Sequence, residues 1–161
     1  MTRKLPEGVV IHNGRTSVMR VPSDYGVRDD DLKQAVVPSD LRTVKEPEQR
    51  ILDDLAQNQY DEESIFAIKL ALEEALTNGV KHGNRNDPNK TITVRFYVDP
   101  RRVVICVRDE GPGFRPELVP DPTADENLER PNGRGIMLMH AYMTKVCYNE
   151  TGNEVWMLKE K

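Results

Sequence analysis

The sequence predicts an α+β fold, and three features carry that expectation. Two runs of alternating apolar residues, Thr91 to Val98 and Val103 to Asp109, flank the turn sequence Asp99-Pro100-Arg101-Arg102 and read as adjacent antiparallel strands. Ahead of them Ile65, Ile68, Leu72, Ala75, Leu76 and Gly79 recur at three- and four-residue steps, the stripe of an amphipathic helix packed on a core. Behind them Lys145 to Tyr148 and Val155 to Lys159 enclose the turn Glu150-Thr151-Gly152-Asn153, a second strand pair.

Residues 1 to about 30 read as an N-terminal appendage ahead of one domain spanning 31–161. Val9 to His12 and Arg15 to Val21 flank Asn13-Gly14, and Asn-Gly tolerates the positive φ of a tight hairpin. This stretch is expected either as an edge hairpin on the main sheet or as a flexible arm used in dimer contacts. Lys33 to Val37 is a short strand, and Pro38-Ser39-Asp40 a turn and capping signal. Leu41, Val44, Ile51, Leu52 and Leu55 keep a helical spacing interrupted by Pro47, which suits a first turn and harms an interior. The main helix is therefore expected from about Glu46, ending before Tyr60. Asp61 caps the next helix, with Glu62 and Glu63 where the helix N-terminus favours negative charge.

At 161 residues a second full domain is not expected. Hydrophobic content of 37% against 31% charged suits a hydrated surface. A net charge of −4 and a pI near 5.5 provide no electrostatic footprint for nucleic acid or an anionic membrane. No apolar run reaches membrane-spanning length, and Met1 to Glu7 has no apolar region behind its charges, so the expectation is a cytoplasmic protein. Cys106 and Cys147 fall in strands and read as small apolar fillers.

Polar residues beside the apolar stripe call for a reason. At about 100° per residue, Glu74, Asn78 and His82 form a four-step row on one shoulder, with Lys81 close by. An amide oxygen is a neutral ligand for a hard cation such as Mg2+, and a carboxylate one turn earlier can deprotonate a hydroxyl. A solvated polar face with a frayed end at Gly79 and Gly83 fits this stretch equally well. The strand ending at Asp109 runs into Glu110-Gly111-Pro112-Gly113-Phe114, where a carboxylate can accept from an exocyclic amine and glycines admit a flat ring. Taken alone, it also reads as a plain Asp-Gly turn. Phe114 to Asn132, with Pro116, Pro120, Pro122 and Pro131 among acidic residues, reads as a mobile lid. Gly133-Arg134-Gly135 then opens a helix whose unpaired N–H groups suit phosphate oxygens, with Arg134 or Arg130 adding charge.

In order along the chain, Glu74-Ala75-Leu76-Thr77-Asn78, then Asp109-Glu110-Gly111-Pro112-Gly113-Phe114, then Gly133-Arg134-Gly135-Ile136-Met137-Leu138-Met139 resemble the N, G1 and G2 boxes of the GHKL ATPases. Within that superfamily the chain resembles the small anti-sigma factor and serine-protein kinase family typified by RsbW and SpoIIAB, over roughly Leu32 to Lys159. The resemblance implies the Bergerat fold, an α+β two-layer sandwich with one mostly antiparallel sheet covered by helices. It implies ATP and Mg2+ as cofactors, Glu74 as general base and Asn78 as the Mg2+ ligand. It further implies Asp109 as the acid that reads adenine, and Gly111 and Gly113 as the glycines beside the base. Gly133, Arg134 and Gly135 fall on the phosphate side, and Lys81 matches a basic position that reaches phosphate. The chain departs from the family pattern in two places: Asn153-Glu154 follows Gly152 where a Thr is common, and Pro47 interrupts the first long helix.

At this length the extra domains of Hsp90, gyrase or MutL relatives are not expected. His12, His82 and His140 sit unsuitably for a phosphoacceptor histidine. The resemblance therefore implies a serine/threonine protein kinase that phosphorylates a STAS-domain antagonist in a partner-switching system. Its partners would be that antagonist, a sigma factor or similar regulator, and a second copy of the chain as a homodimer, with no direct nucleic-acid or membrane contact. The alternative is a non-catalytic, nucleotide-responsive module that sequesters a sigma factor or other regulator.

Overall fold

Ile92, Val94 and Phe96 alternate with Val103, Ile105 and Val107 on two paired strands, and that shared apolar face organises the molecule. The structure is a computed structural model that describes the backbone of residues 9–12, 15–112 and 138–161, and side chains at 19–112 and 138–161. The elements are β1 (Val9–His12), β2 (Arg15–Val18), β3 (Lys33–Pro38), α1 (Lys45–Gln57), α2 (Glu62–Thr77), a π-helical turn (Asn78–Gly83), β4 (Thr91–Val98), β5 (Arg102–Arg108), β6 (Lys145–Tyr148) and β7 (Glu154–Glu160). Residues 138–142 are also helical.

Five strands form one sheet in the order β3-β4-β5-β7-β6, every neighbouring pair antiparallel. Helices α1 and α2 cover one face, where Ile51, Leu55, Ile68, Leu72 and Leu76 pack on the β4 and β5 side chains and on Met139, Met143 and Met157. This is the expected mostly antiparallel sheet covered by helices. Each buried aliphatic side chain contributes roughly 1.5–3 kcal/mol, so this face dominates the stability.

Local signals place the helices as expected. Pro47 sits in the first turn of α1 and is buried without interrupting the helix, since that turn needs no N–H from it. The Asp61 carboxylate accepts from the Ser64 N–H at 2.7 Å and caps α2. Asp40 accepts from the Arg42 N–H at 2.7 Å in the turn before α1.

The opposite face of the sheet is also covered. Met19, Tyr25 and Leu32 pack there against Val104, Cys106, Trp156 and Leu158, so the segment from Met19 to Leu32 acts as a strap. Arg95, fully buried in β4, donates to the Met19 carbonyl at 2.8 Å and to the Asp29 carbonyl at 3.2 Å. Tyr25 donates its hydroxyl to the Trp156 carbonyl at 3.1 Å, and Arg102 donates to the Tyr25 carbonyl at 2.9 Å. Beneath the strap, Arg108 and Glu154 form a buried ion pair at 3.2 Å, and Trp156 Nε1 donates to Glu154 at 2.7 Å.

β1 and β2 pair antiparallel from Val9 opposite Val18 to His12 opposite Arg15, forming their own two-stranded ladder outside the five-stranded sheet. Cys106 is buried as expected, but Cys147 is exposed on β6, which among the described residues pairs with β7 alone. His140 is also exposed.

Candidate functional site

Glu74 and Asn78 stand one turn apart where α2 passes into the π-helical turn, and Asn78 is the residue at the change. The Asn84 N–H donates to the Gly79 carbonyl five residues back, at 2.8 Å, which widens the helix end. Gly79 is buried, and a Cβ there would stand 3.0 Å from Ile92 Cδ1 and 3.8 Å from Asp109 Cβ. The wide turn thus lies directly on the end of β5.

Two further glycines complete the contact. A Cβ on Gly83 would overlap the Asp109 carboxyl, and one on Gly111 would overlap the Gly83 carbonyl. Gly83, Asp109 and Gly111 interlock with no room for another side chain. The Gly111 N–H donates to Asp109 Oδ1 at 2.7 Å, and the Asp109 N–H donates to the Asn153 carbonyl at 2.9 Å. The N-terminal part of the second motif therefore sits against the first.

The electrostatics follow from this packing. Burial pushes the Asp109 carboxyl up to about 6, opposed by the Gly111 N–H and by Arg108 and Lys90. Burial also raises the Glu74 carboxyl, with the charge of His82 acting the other way. Glu74 and His82 thus lie within reach of each other's charge, as the four-step row predicts. Tyr148, on β6, has its phenol raised to about 12 by burial first and by the charge of Glu74 second. Lys81 and His82 are exposed.

Glu74, Asn78, Lys81, Asp109 and Gly111 therefore share one end of the sheet and its covering helix. Gly113, Gly133, Arg134 and Gly135 lie outside the described residues, as does the proposed lid. Three residues near the site had no assigned role in the sequence: Asn84, Glu110 and Tyr148. Asn84 stood in a run of turn-forming residues, where a buried amide and an exposed one look alike. Only its place directly after His82-Gly83 hinted at more.

The donor set suits a nucleotide and a cation held largely by phosphate. Among the described residues no three of His, Cys, Asp and Glu gather into a metal cage. Asn78 offers a neutral amide oxygen, enough for a cation whose other ligands are phosphate oxygens and water. The glycine interlock sets the Asp109 carboxyl directly against the backbone of Gly83 and Gly111.

Residues 37–159 match the model of the histidine kinase-like ATPase domain. The chain belongs to that family. Among its relatives is the anti-sigma F factor of Geobacillus stearothermophilus, 32% identical over 104 residues, covering 62% of this chain and 70% of the relative. The serine-protein kinase RsbW of Bacillus subtilis is 36% identical over 109 residues, covering 62% and 66%. RsbW of Listeria monocytogenes is 32% identical over 104 residues, covering 60% and 66%. The aligned region spans about two thirds of each of these proteins. No described helix is long and apolar enough to cross a membrane.

Proposed function

We propose that the chain is an ATP-dependent serine/threonine protein kinase of the anti-sigma type, phosphorylating a STAS-domain antagonist in a partner-switching system. The carrying observation is the interlock of Gly83, Asp109 and Gly111 beside a Glu74 and Asn78 spaced one turn apart. The names of the serine-protein kinase relatives support the same activity.

In this reading Asp109 accepts from the exocyclic amine of adenine, while Gly111 and Gly113 let the base approach the backbone. Gly133 and Gly135 would offer N–H groups to the phosphates, with Arg134 and Lys81 adding positive charge. Asn78 would hold Mg2+, which when bound offsets charge on the phosphates. Glu74 takes the proton of the attacking serine or threonine hydroxyl. The new O–P bond forms to that oxygen, the bond from the γ-phosphorus to its bridging oxygen breaks, and ADP leaves. The carboxyl of Glu74, raised by burial, is a better proton acceptor than an exposed one.

The same reading takes a sigma factor or similar regulator as second partner, a homodimer as working unit and the cytoplasm as location. It also keeps the division near residue 30 between an N-terminal appendage and the ATP-binding domain. Incubation with labelled ATP and a STAS-domain protein should transfer the γ-phosphoryl group to a hydroxyl of that protein, and Glu74→Ala should abolish transfer. Full activity in Glu74→Ala would remove Glu74 as base. Sequestration of a sigma factor by Asn78→Ala with no nucleotide requirement would favour the non-catalytic module.

A further inference from the structure

Asn84 has no solvent exposure at all. Its backbone N–H closes the π-helical turn on the Gly79 carbonyl at 2.8 Å. Its amide nitrogen donates to Ser39 Oγ and to the Thr91 carbonyl, both at 3.0 Å. Its amide oxygen accepts from the Glu110 N–H at 2.8 Å. The Glu110 carboxylate returns to the same strand start, accepting from the Thr91 N–H at 2.6 Å and from Thr91 Oγ1 at 3.3 Å. A single residue thus ties the end of β3, the start of β4, the turn carrying Asn78 and the peptide that follows Asp109.

We propose that Asn84 is a positioning residue for base selection, fixing the Asp109-Glu110 peptide against the π-helical turn so that the Asp109 carboxyl meets the exocyclic amine of adenine. This rests on the reading of Asp109 as the adenine acceptor. Asn84 acts from behind, because its amide is spent on three protein partners and has no exposed surface for ligand. A buried amide oxygen that receives a backbone N–H sets the direction of that peptide. Here the peptide is the one linking Asp109 to Glu110, and its other end is held by the Asp109 N–H on Asn153. Releasing one of two anchors leaves the carboxyl free to shift while Gly111 still donates to it.

The test compares ATP with inosine triphosphate, whose ring carries a carbonyl where adenine carries the amine, by calorimetric titration of the full chain. The wild type should prefer ATP. Asn84→Ala should lose about tenfold of that preference through weaker ATP binding, with inosine triphosphate affinity unchanged. A merely structural loss would weaken both ligands together and leave the ratio alone. Ser39→Ala removes one acceptor of the Asn84 amide from a small side chain, and should lower the ratio in the same direction by a smaller factor. If Asn84→Ala does not fold, the Ser39→Ala ratio decides. Wild-type ratios in the folded variants would overturn the positioning role. Equal affinity of the wild type for the two nucleotides would overturn the adenine reading and this proposal with it.

Discussion

Replacing Asp109 by Asn separates the stability of the site from its function, because the carboxyl is costly to ionise where it stands. Burial moves it from its ordinary 3.8 up to about 6. At about 1.4 kcal/mol per pKa unit, a shift of that size sets an upper bound of about 3 kcal/mol on the cost of the charged form. Partial solvent contact reduces this, so about 1–2 kcal/mol is expected. The sign follows from the raised value: the folded state holds the proton more tightly than the unfolded chain. Stability from this group is complete below about 3.8 and lost as pH rises through about 6. An Asn side chain still accepts from the Gly111 N–H but carries no charge. Asp109→Asn should therefore raise unfolding free energy by about 1–2 kcal/mol at pH 8 and leave it unchanged near pH 4. Urea denaturation at both pH values reads this directly, and calorimetry should show ATP binding weakened at least about tenfold in the same variant. A variant that is less stable at pH 8, or shifted equally at both pH values, would refute burial as the cause.

Glu48 offers a second pH test, on the interface between α1 and α2. It is 4% exposed, with Lys45 Nζ 3.7 Å from it and 3.8 Å from Glu73, and Lys69 Nζ 3.9 Å from Glu73. Burial, then the hydrogen bond and charge of Glu73, push its carboxyl up to about 7, so Glu48→Gln should stabilise by about 1–2 kcal/mol at pH 8 and not below pH 4.5. Gly111→Ala should displace the Gly83 backbone and crowd the Asp109 carboxyl, since its Cβ would meet both, and ATP affinity should fall in a titration. Tyr25→Ala should cost about 3 kcal/mol in a denaturation curve, because Tyr25 is buried in the strap and bonded to Trp156. An effect under about 0.5 kcal/mol would mean the strap contributes no packing.

The inner face of the sheet was legible because its signal is periodic. Ile92, Val94, Phe96, Val103, Ile105 and Val107 alternate, and Ile68, Leu72 and Leu76 repeat at helical steps. The outer face was not, for a reason visible in its residues. Arg95 and Arg108 fall on strand positions that ordinarily face water, and nothing local reveals that strap carbonyls and Glu154 receive them. The strap follows no period: Met19, Tyr25 and Leu32 are separated by Pro22 and by the run Asp29-Asp30-Asp31. At the site, the row of Glu74, Asn78 and His82 was readable from spacing, but the π-helical turn was not. Gly79 and Gly83 allow either helix, and the choice is made by contact with Ile92 and Asp109, distant in sequence. Asn84 escaped notice for the same reason, since its partners Ser39, Thr91 and Glu110 come from three separate stretches.

The central claim is that the end of α2 and the start of the loop after β5 form an ATP site in which Asn78 holds the metal. Calorimetric titration of the purified chain with ATP, with and without Mg2+, tests it most directly when repeated on Asn78→Ala. The account predicts binding by the wild type that strengthens with Mg2+, and loss of that strengthening in the variant. Binding of equal strength with and without Mg2+ in the wild type, or an undiminished Mg2+ effect in Asn78→Ala, would contradict it.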